Sequence, residues 1–147
     1  MFGKASVIED SEGAHKVLKK IETIATIGAK GPGEGAAHDV PAYLRERGYE
    51  VWAVSPKLSG DLFGHPVART VDALRQPVDL VQIFRRSEAV PEHVAEILAM
   101  DPRPKYVWLQ LGIRNDEAAQ ALVSEGITVV QDRCMMADHQ AMARDRG

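Results

Sequence analysis

Five short runs rich in valine and isoleucine recur along the chain, at residues 21–28, 49–54, 78–84, 106–111 and 127–130, and segments with apolar residues at helical spacing separate them. That alternation narrows the accessible folds sharply. A strand that returns parallel to its predecessor needs a crossover of about a dozen residues, usually a helix. Strands that are apolar throughout must be covered on both faces. The pattern predicts a Rossmann-like α/β fold, a doubly wound and mostly parallel five-stranded sheet with helices on both faces. No linker or repeat interrupts residues 1–147, and 45% apolar content over that length supplies one core, so a single domain is expected.

Local signals place the helices. A first helix is expected from about Ser11, with Ser11 as its cap and Val17, Leu18 and Ile21 facing inward. Val40, Tyr43 and Leu44 share one face of the next, and Gly48 suits the left-handed residue that closes it. Residues 57–69 read as loop, with at most a short extended piece at Phe63, and Thr70 opens a brief helix. Pro91 fits the first turn of a helix carrying Val94, Ile97 and Leu98. Asn115 is a cap, followed by Asp116 and Glu117 where negative charge opposes the positive helix end. A last helix is expected from Cys134, with Met135, Met136 and Met142 filling the core rather than serving a subunit contact, the other reading they allow.

Charge and composition remove several functional classes. The 18 basic and 21 acidic residues leave a net charge of −3, the wrong sign for a non-specific nucleic-acid or membrane-surface binder. Aromatic content of 5% offers no platform for stacking bases. A single cysteine, Cys134, excludes a disulfide framework and a cysteine-rich metal site. His15, His38, His65, His93 and His139 fall at no metal-ligand spacing, so no metal is expected, and His93 and His139 read as surface residues. Neither a signal peptide nor a transmembrane span is visible, which makes the cytoplasm the expected compartment.

In an open α/β sheet, ligands bind beyond the carboxyl ends of the strands, where the winding reverses. The first run delivers Gly28, Ala29 and Lys30 to that edge, within the glycine-rich stretch 28–35. The second delivers Ser55, Pro56 and Lys57, and the third Phe84, Arg85 and Arg86. Gln110 and Gly112 follow the fourth; Asp132, Arg133 and Cys134 follow the fifth. Lys30, Lys57, Arg85 and Arg86 would then gather at one rim of an acidic chain. A glycine loop that leads into a helix presents backbone N–H groups to a phosphate. The expected ligand is a phosphate-bearing nucleotide.

The details refine this. Lys30 stands where a dinucleotide fingerprint needs its second glycine, so the loop also reads as a plain strand-to-helix turn. Lys57 occupies the place where an NAD enzyme offers an acid, and it favours a ribose that carries an extra phosphate, as in NADP or coenzyme A. Taken alone, Lys57 reads better as a solvated loop cation. Arg85 and Arg86 also read as a loop salt-bridged to Glu88. Asp132 could cap the last helix or pair with Arg133, and His38 lies near the expected phosphates at the start of the second helix. No serine–histidine–aspartate arrangement is apparent, and catalysis by this chain is not expected.

Ile27-Gly28-Ala29, Val54-Ser55-Pro56-Lys57, Val78-Asp79 with Phe84-Arg85, Trp108-Leu109-Gln110-Leu111-Gly112 and Asp132-Arg133-Cys134 occur in this order. Together they resemble the small stand-alone CoA-binding domain proteins of bacteria, which are similar to the N-terminal domain of the succinyl-CoA synthetase α-subunit. The resemblance runs from about Val17 to Cys134. It implies coenzyme A as ligand, with Ile27, Gly28, Ala29 and Lys30 at its phosphates and Lys57 meeting the nucleotide's phosphates. It places Phe84 and Arg85 beside the adenosine, Leu109, Gln110 and Leu111 at the fourth-strand contact, and Cys134 at the cleft edge. Where the family often has serine in the first loop, this chain has Ala29, which shifts phosphate contact towards N–H groups and Lys30.

Three readings follow. The first is a protein that binds coenzyme A or an acyl-CoA and carries out no chemistry itself. The second is an NADP-dependent oxidoreductase, or an accessory subunit of an acyl-CoA ligase that borrows its catalytic histidine elsewhere; Lys30 in place of the second fingerprint glycine and the expectation of no substrate domain count against it. The third is a regulatory module whose occupancy alters a protein partner. Cys134 reads first as a small half-buried packing residue, although its position near a helix start also raises a mixed disulfide with the CoA thiol.

Overall fold

A computed structural model describes residues 4–145. Its elements in chain order are β1 (Val7–Ile8), α1 (Ser11–Lys20), β2 (Thr23–Ile27), α2 (Ala36–Glu46), β3 (Glu50–Val54), β4 (Asp61–Leu62), β5 (His65–Pro66), β6 (Leu80–Ile83), α3 (Val94–Leu98), β7 (Tyr106–Leu109), α4 (Asp116–Ser124), β8 (Thr128–Val130) and α5 (Met135–Asp145). Short 3-10 turns at Val71–Ala73 and Ser87–His93 precede β6 and α3.

Six strands form one parallel sheet in the order β1-β8-β7-β6-β2-β3. The doubly wound architecture expected from the sequence is present with one strand more. The addition is β1, where Val7 and Ile8 pair with Val129 and Val130. Two residues give no periodicity to read; β1 exists because the edge of β8 offers partners to its backbone. Packing divides the helices between two faces. Ala14, Val17, Leu18, Val40, Leu44, Met135 and Met142, from α1, α2 and α5, are buried on one, and Ile97, Ala118, Ala119 and Leu122, from α3 and α4, on the other.

Several local details depart from the sequence reading. Asp10 caps α1, accepting from the Gly13 N–H at 3.3 Å, so Ser11 is the first helical residue. A carboxylate serves better there than a hydroxyl because it also opposes the helix dipole. Residues expected as loop contain the antiparallel β4–β5 hairpin, turning at Phe63 and Gly64 with φ of 56° and 86°. Two-residue hairpin turns favour positive φ because it matches the strand twist. In a phenylalanine this conformation costs about 1–2 kcal/mol, offset here by burying its ring against His38 at 5.4 Å. Asn115 caps α4 as expected, accepting from Ala118 N–H at 2.9 Å.

The end of β8 is tied down by charge. Arg133 donates from Nε and Nη2 to the two oxygens of Asp138, at 2.8 and 2.7 Å, and Asp138 is only 5% exposed. These hydrogen bonds hold the guanidinium above its ordinary pKa against the opposing effect of burial. Asp132, at φ 59°, accepts from the Gly112 N–H at 2.7 Å, and among the described residues it forms no hydrogen bond or ion pair with Arg133 or the start of α5. Arg133→Lys keeps the charge but loses the planar fork, and should cost about 1–2 kcal/mol. Urea denaturation checks this, and an unchanged midpoint would remove the role given to the fork.

Candidate functional site

The winding of the sheet reverses at β2, which lies between β3 and β6 although the chain visits β3 first. The carboxyl ends of these three strands open into a cavity of about 930 Å³. At its floor stands Gly28, the first residue after β2. Its N–H donates to Val54 O at 3.0 Å, and Phe84 N–H donates to Ile27 O at 2.9 Å. With φ at +83°, a Cβ on Gly28 would lie 2.3 Å from the Phe84 carbonyl oxygen. Only glycine lets β3, β2 and β6 close together here.

The loop after Gly28 is held in two places. Pro41 lies inside α2 and has no N–H to give the Ala37 carbonyl, four residues back. That carbonyl accepts instead from the Lys30 N–H at 3.2 Å, which fastens the loop to the helix. Next, Pro32 and Gly33 occupy the centre of a turn closed by Glu34 N–H to Gly31 O at 3.2 Å, with Gly33 at φ 83°. Proline followed by a residue of positive φ is the pattern of a type II turn. Gly35 then starts α2 with no side chain to cap its first N–H groups, an end with partial positive charge that favours anions.

Of the expected site residues, Ile27, Gly28, Ala29, Lys30, Ser55, Pro56, Lys57, Phe84, Arg85 and Arg86 all line this cavity. Ser55 Oγ accepts from the N–H groups of Lys57 and Leu58, at 3.1 and 3.3 Å, which shapes the loop that carries Lys57. Leu109, Gln110, Leu111, Gly112 and Cys134 stand outside the lining residues. Gln110 is buried; its side-chain carbonyl accepts from Gln82 Nε2 at 3.4 Å and from Met135 N–H at 3.3 Å. Leu111 is exposed, and Cys134 packs at the start of α5 beside the core. His38 turns its ring to Phe63 and is not a lining residue.

The lining contains residues the sequence reading passed over: Arg69, Thr70, Glu34, Glu92, His93 and Glu96. Arg69 arrives because Ala68 pairs with the end of β3, donating to Ala53 O at 3.0 Å and accepting from Ser55 N–H at 2.8 Å. His93, expected at the surface, is 8% exposed and bridges Arg85 and Glu96, at 3.3 Å through Nε2 and 3.2 Å through Nδ1. Arginine can only donate, so this geometry matches the tautomer with its proton on Nδ1. Arg85 also meets Glu92 at 3.5 Å, so its salt-bridge partner is Glu92 and not Glu88.

The five cations thus differ. Arg85 is engaged by the wall, whereas Lys30, Lys57, Arg69 and Arg86 are exposed and form no ion pair among the described residues. A second hollow, about 450 Å³, opens at the opposite edge of the sheet between Leu18, Tyr49, His139 and Met142. Its Lys19 and Arg47 end α1 and α2, where positive charge offsets the negative pole of each helix.

Known proteins resemble this chain over most of its length. Residues 22–140 match the CoA binding domain family. The uncharacterized protein YneT of Bacillus subtilis (strain 168) is 32% identical over 124 residues, covering 84% of this chain and 90% of its own length. Among solved structures, that of cell-free ID.343 from Thermus thermophilus is 40% identical, with a TM-score of 0.83 over 90% of this chain and 98% of that one. A hypothetical protein from Pyrococcus horikoshii OT3 is 29% identical, with a TM-score of 0.82 over 91% of this chain and 92% of that one.

Proposed function

This chain belongs to the CoA-binding domain family, and from that premise we propose that its cavity holds coenzyme A or an acyl-CoA by the nucleotide's phosphates. One observation carries the reading. Lys30, Lys57, Arg69 and Arg86 come from four separate loops of a chain with net charge −3, converge on one cavity, and have no carboxylate partner there. Unpaired cations grouped in this way repel one another, and an anion with several charges relieves that repulsion. The open end of α2, whose first N–H groups no side chain caps, adds neutral donors.

A ribose phosphate distinguishes coenzyme A and NADP from dephospho-CoA and NAD, and Lys57 with Arg69 is the pair we assign to it. The protein holds its ligand without altering it; hydrolysis or transfer of an acyl-CoA thioester by the purified chain would overturn that part. Melting the protein with each of the four nucleotides tests the whole reading. At a hundredfold excess over Kd, a ligand that binds only the folded state adds about 2.7 kcal/mol, or roughly 5–10 °C in a chain of this size. Coenzyme A should give the full shift, and dephospho-CoA a smaller one. A response to NADP alone would favour an oxidoreductase.

A further inference from the structure

The cavity that accepts an anion also contains one of the protein's own. Glu34 lines it, and its Oε2 accepts the Gly31 N–H at 3.0 Å. Gly31 directly follows Ala29 and Lys30, which line the cavity, and Glu34 lies one residue before Gly35, the bare start of α2. A carboxylate oxygen at this distance from a loop N–H occupies the position that a phosphate oxygen would take at the same donor. The contact has no structural necessity, because the Gly31–Glu34 turn is already closed through its backbone at 3.2 Å. Glu34 is moreover exposed and pairs with no lysine or arginine among the described residues, although Lys30 lines the same cavity.

We propose that Glu34 is an internal competitor for the ligand's phosphate, a specificity-determining residue whose carboxylate must leave the Gly31 N–H before a phosphate can take it. The inference rests on the phosphate-binding reading of this cavity and deepens it. A ligand with one weak anionic group gains too little to displace a tethered carboxylate, whereas a diphosphate brings enough charge to do so. The device lowers affinity and raises the demand for a polyanion, since the glutamate also repels any phosphate that binds beside it.

Titration calorimetry with coenzyme A, under reducing conditions, on wild type, Glu34→Gln and Glu34→Ala tests it. Glutamine keeps an oxygen acceptor for Gly31 but loses the charge; alanine removes both. Both variants should bind coenzyme A about five- to tenfold more tightly, which is about 1–1.4 kcal/mol. Adenosine monophosphate should gain more than coenzyme A. If Glu34 only shapes the loop, alanine weakens binding while glutamine leaves it unchanged, and the competitor is overturned. Equal affinity in all three proteins overturns the competitor alone. Absence of binding in all three would remove the phosphate-binding reading together with it.

Discussion

Gly28→Ala is expected to destabilise the protein by about 3 kcal/mol or more and to lower its melting temperature by roughly 10 °C. Two costs combine. Positive φ is unfavourable for any residue with a Cβ, and at Gly28 that Cβ would lie 2.3 Å from the Phe84 carbonyl oxygen. The obstacle is backbone, held in place by the Phe84 N–H bond to Ile27 O, so it cannot rotate aside as a side chain would. Gly33→Ala separates the two costs. Gly33 has the same φ of 83° but nothing within 4 Å of its would-be Cβ, so it should lose only about 1 kcal/mol. Parallel urea denaturations of both variants decide the matter. Equal losses would mean that β2 and β6 can part at little cost, and the close approach described above would lose its importance.

The same position shows why so much of the fold was legible. The runs that became β2, β3, β6, β7 and β8 send residues into the cores on both faces, and such strands are mostly apolar, with buried Thr26 and Gln82 satisfied by each other at 2.9 Å. The burial constraint is thus written directly into composition. What stayed hidden depends on partners distant in the chain. Val7 and Ile8 form a strand only because Val129 and Val130 present an unpaired edge. Phe63 accepts a left-handed backbone only because its ring has a core to enter. The cap of α1 is Asp10, one residue before the expected Ser11, a shift within the usual uncertainty of a helix end.

The site divides along similar lines. Lys30, Lys57, Arg85 and Arg86 follow strand ends directly, so knowing the strands brought them to one edge. Arg69 follows no strand of the sheet. It reaches the cavity through the pairing of Ala68 with β3, a contact between segments joined by the β4–β5 hairpin. Whether a cation is free is also a tertiary property. Arg85 and Arg86 are neighbours in sequence, yet one is braced by His93 and Glu92 while the other's side chain forms no ion pair among the described residues. Gln110 shows the reverse limit: a polar residue at a strand end looked available for a ligand, but its carbonyl is engaged by Gln82 and Met135.

Replacing Lys57 and Arg69 together by alanine should weaken coenzyme A binding by roughly thirty- to a thousandfold. Hydrogen bonds from a charged donor to phosphate are each worth about 1.5–3 kcal/mol, so losing two of them removes about 2–4 kcal/mol if their effects are partly redundant. The fold should hardly notice, since both side chains are exposed and unpaired among the described residues, a situation in which substitution usually changes stability by less than about 0.5 kcal/mol. Dephospho-CoA sharpens the test. If the pair holds the ribose phosphate, the double variant should bind dephospho-CoA about as well as wild type does, because the group it lost has no partner on that ligand. A loss of similar size with both nucleotides would move Lys57 and Arg69 to the diphosphate that the two ligands share. Unchanged affinity for coenzyme A would show that the convergence of charge on this cavity does not bind the ligand. Rising salt should narrow the gap between wild type and variant, since these cations sit in water and are screened within about 10 Å at 0.1 M.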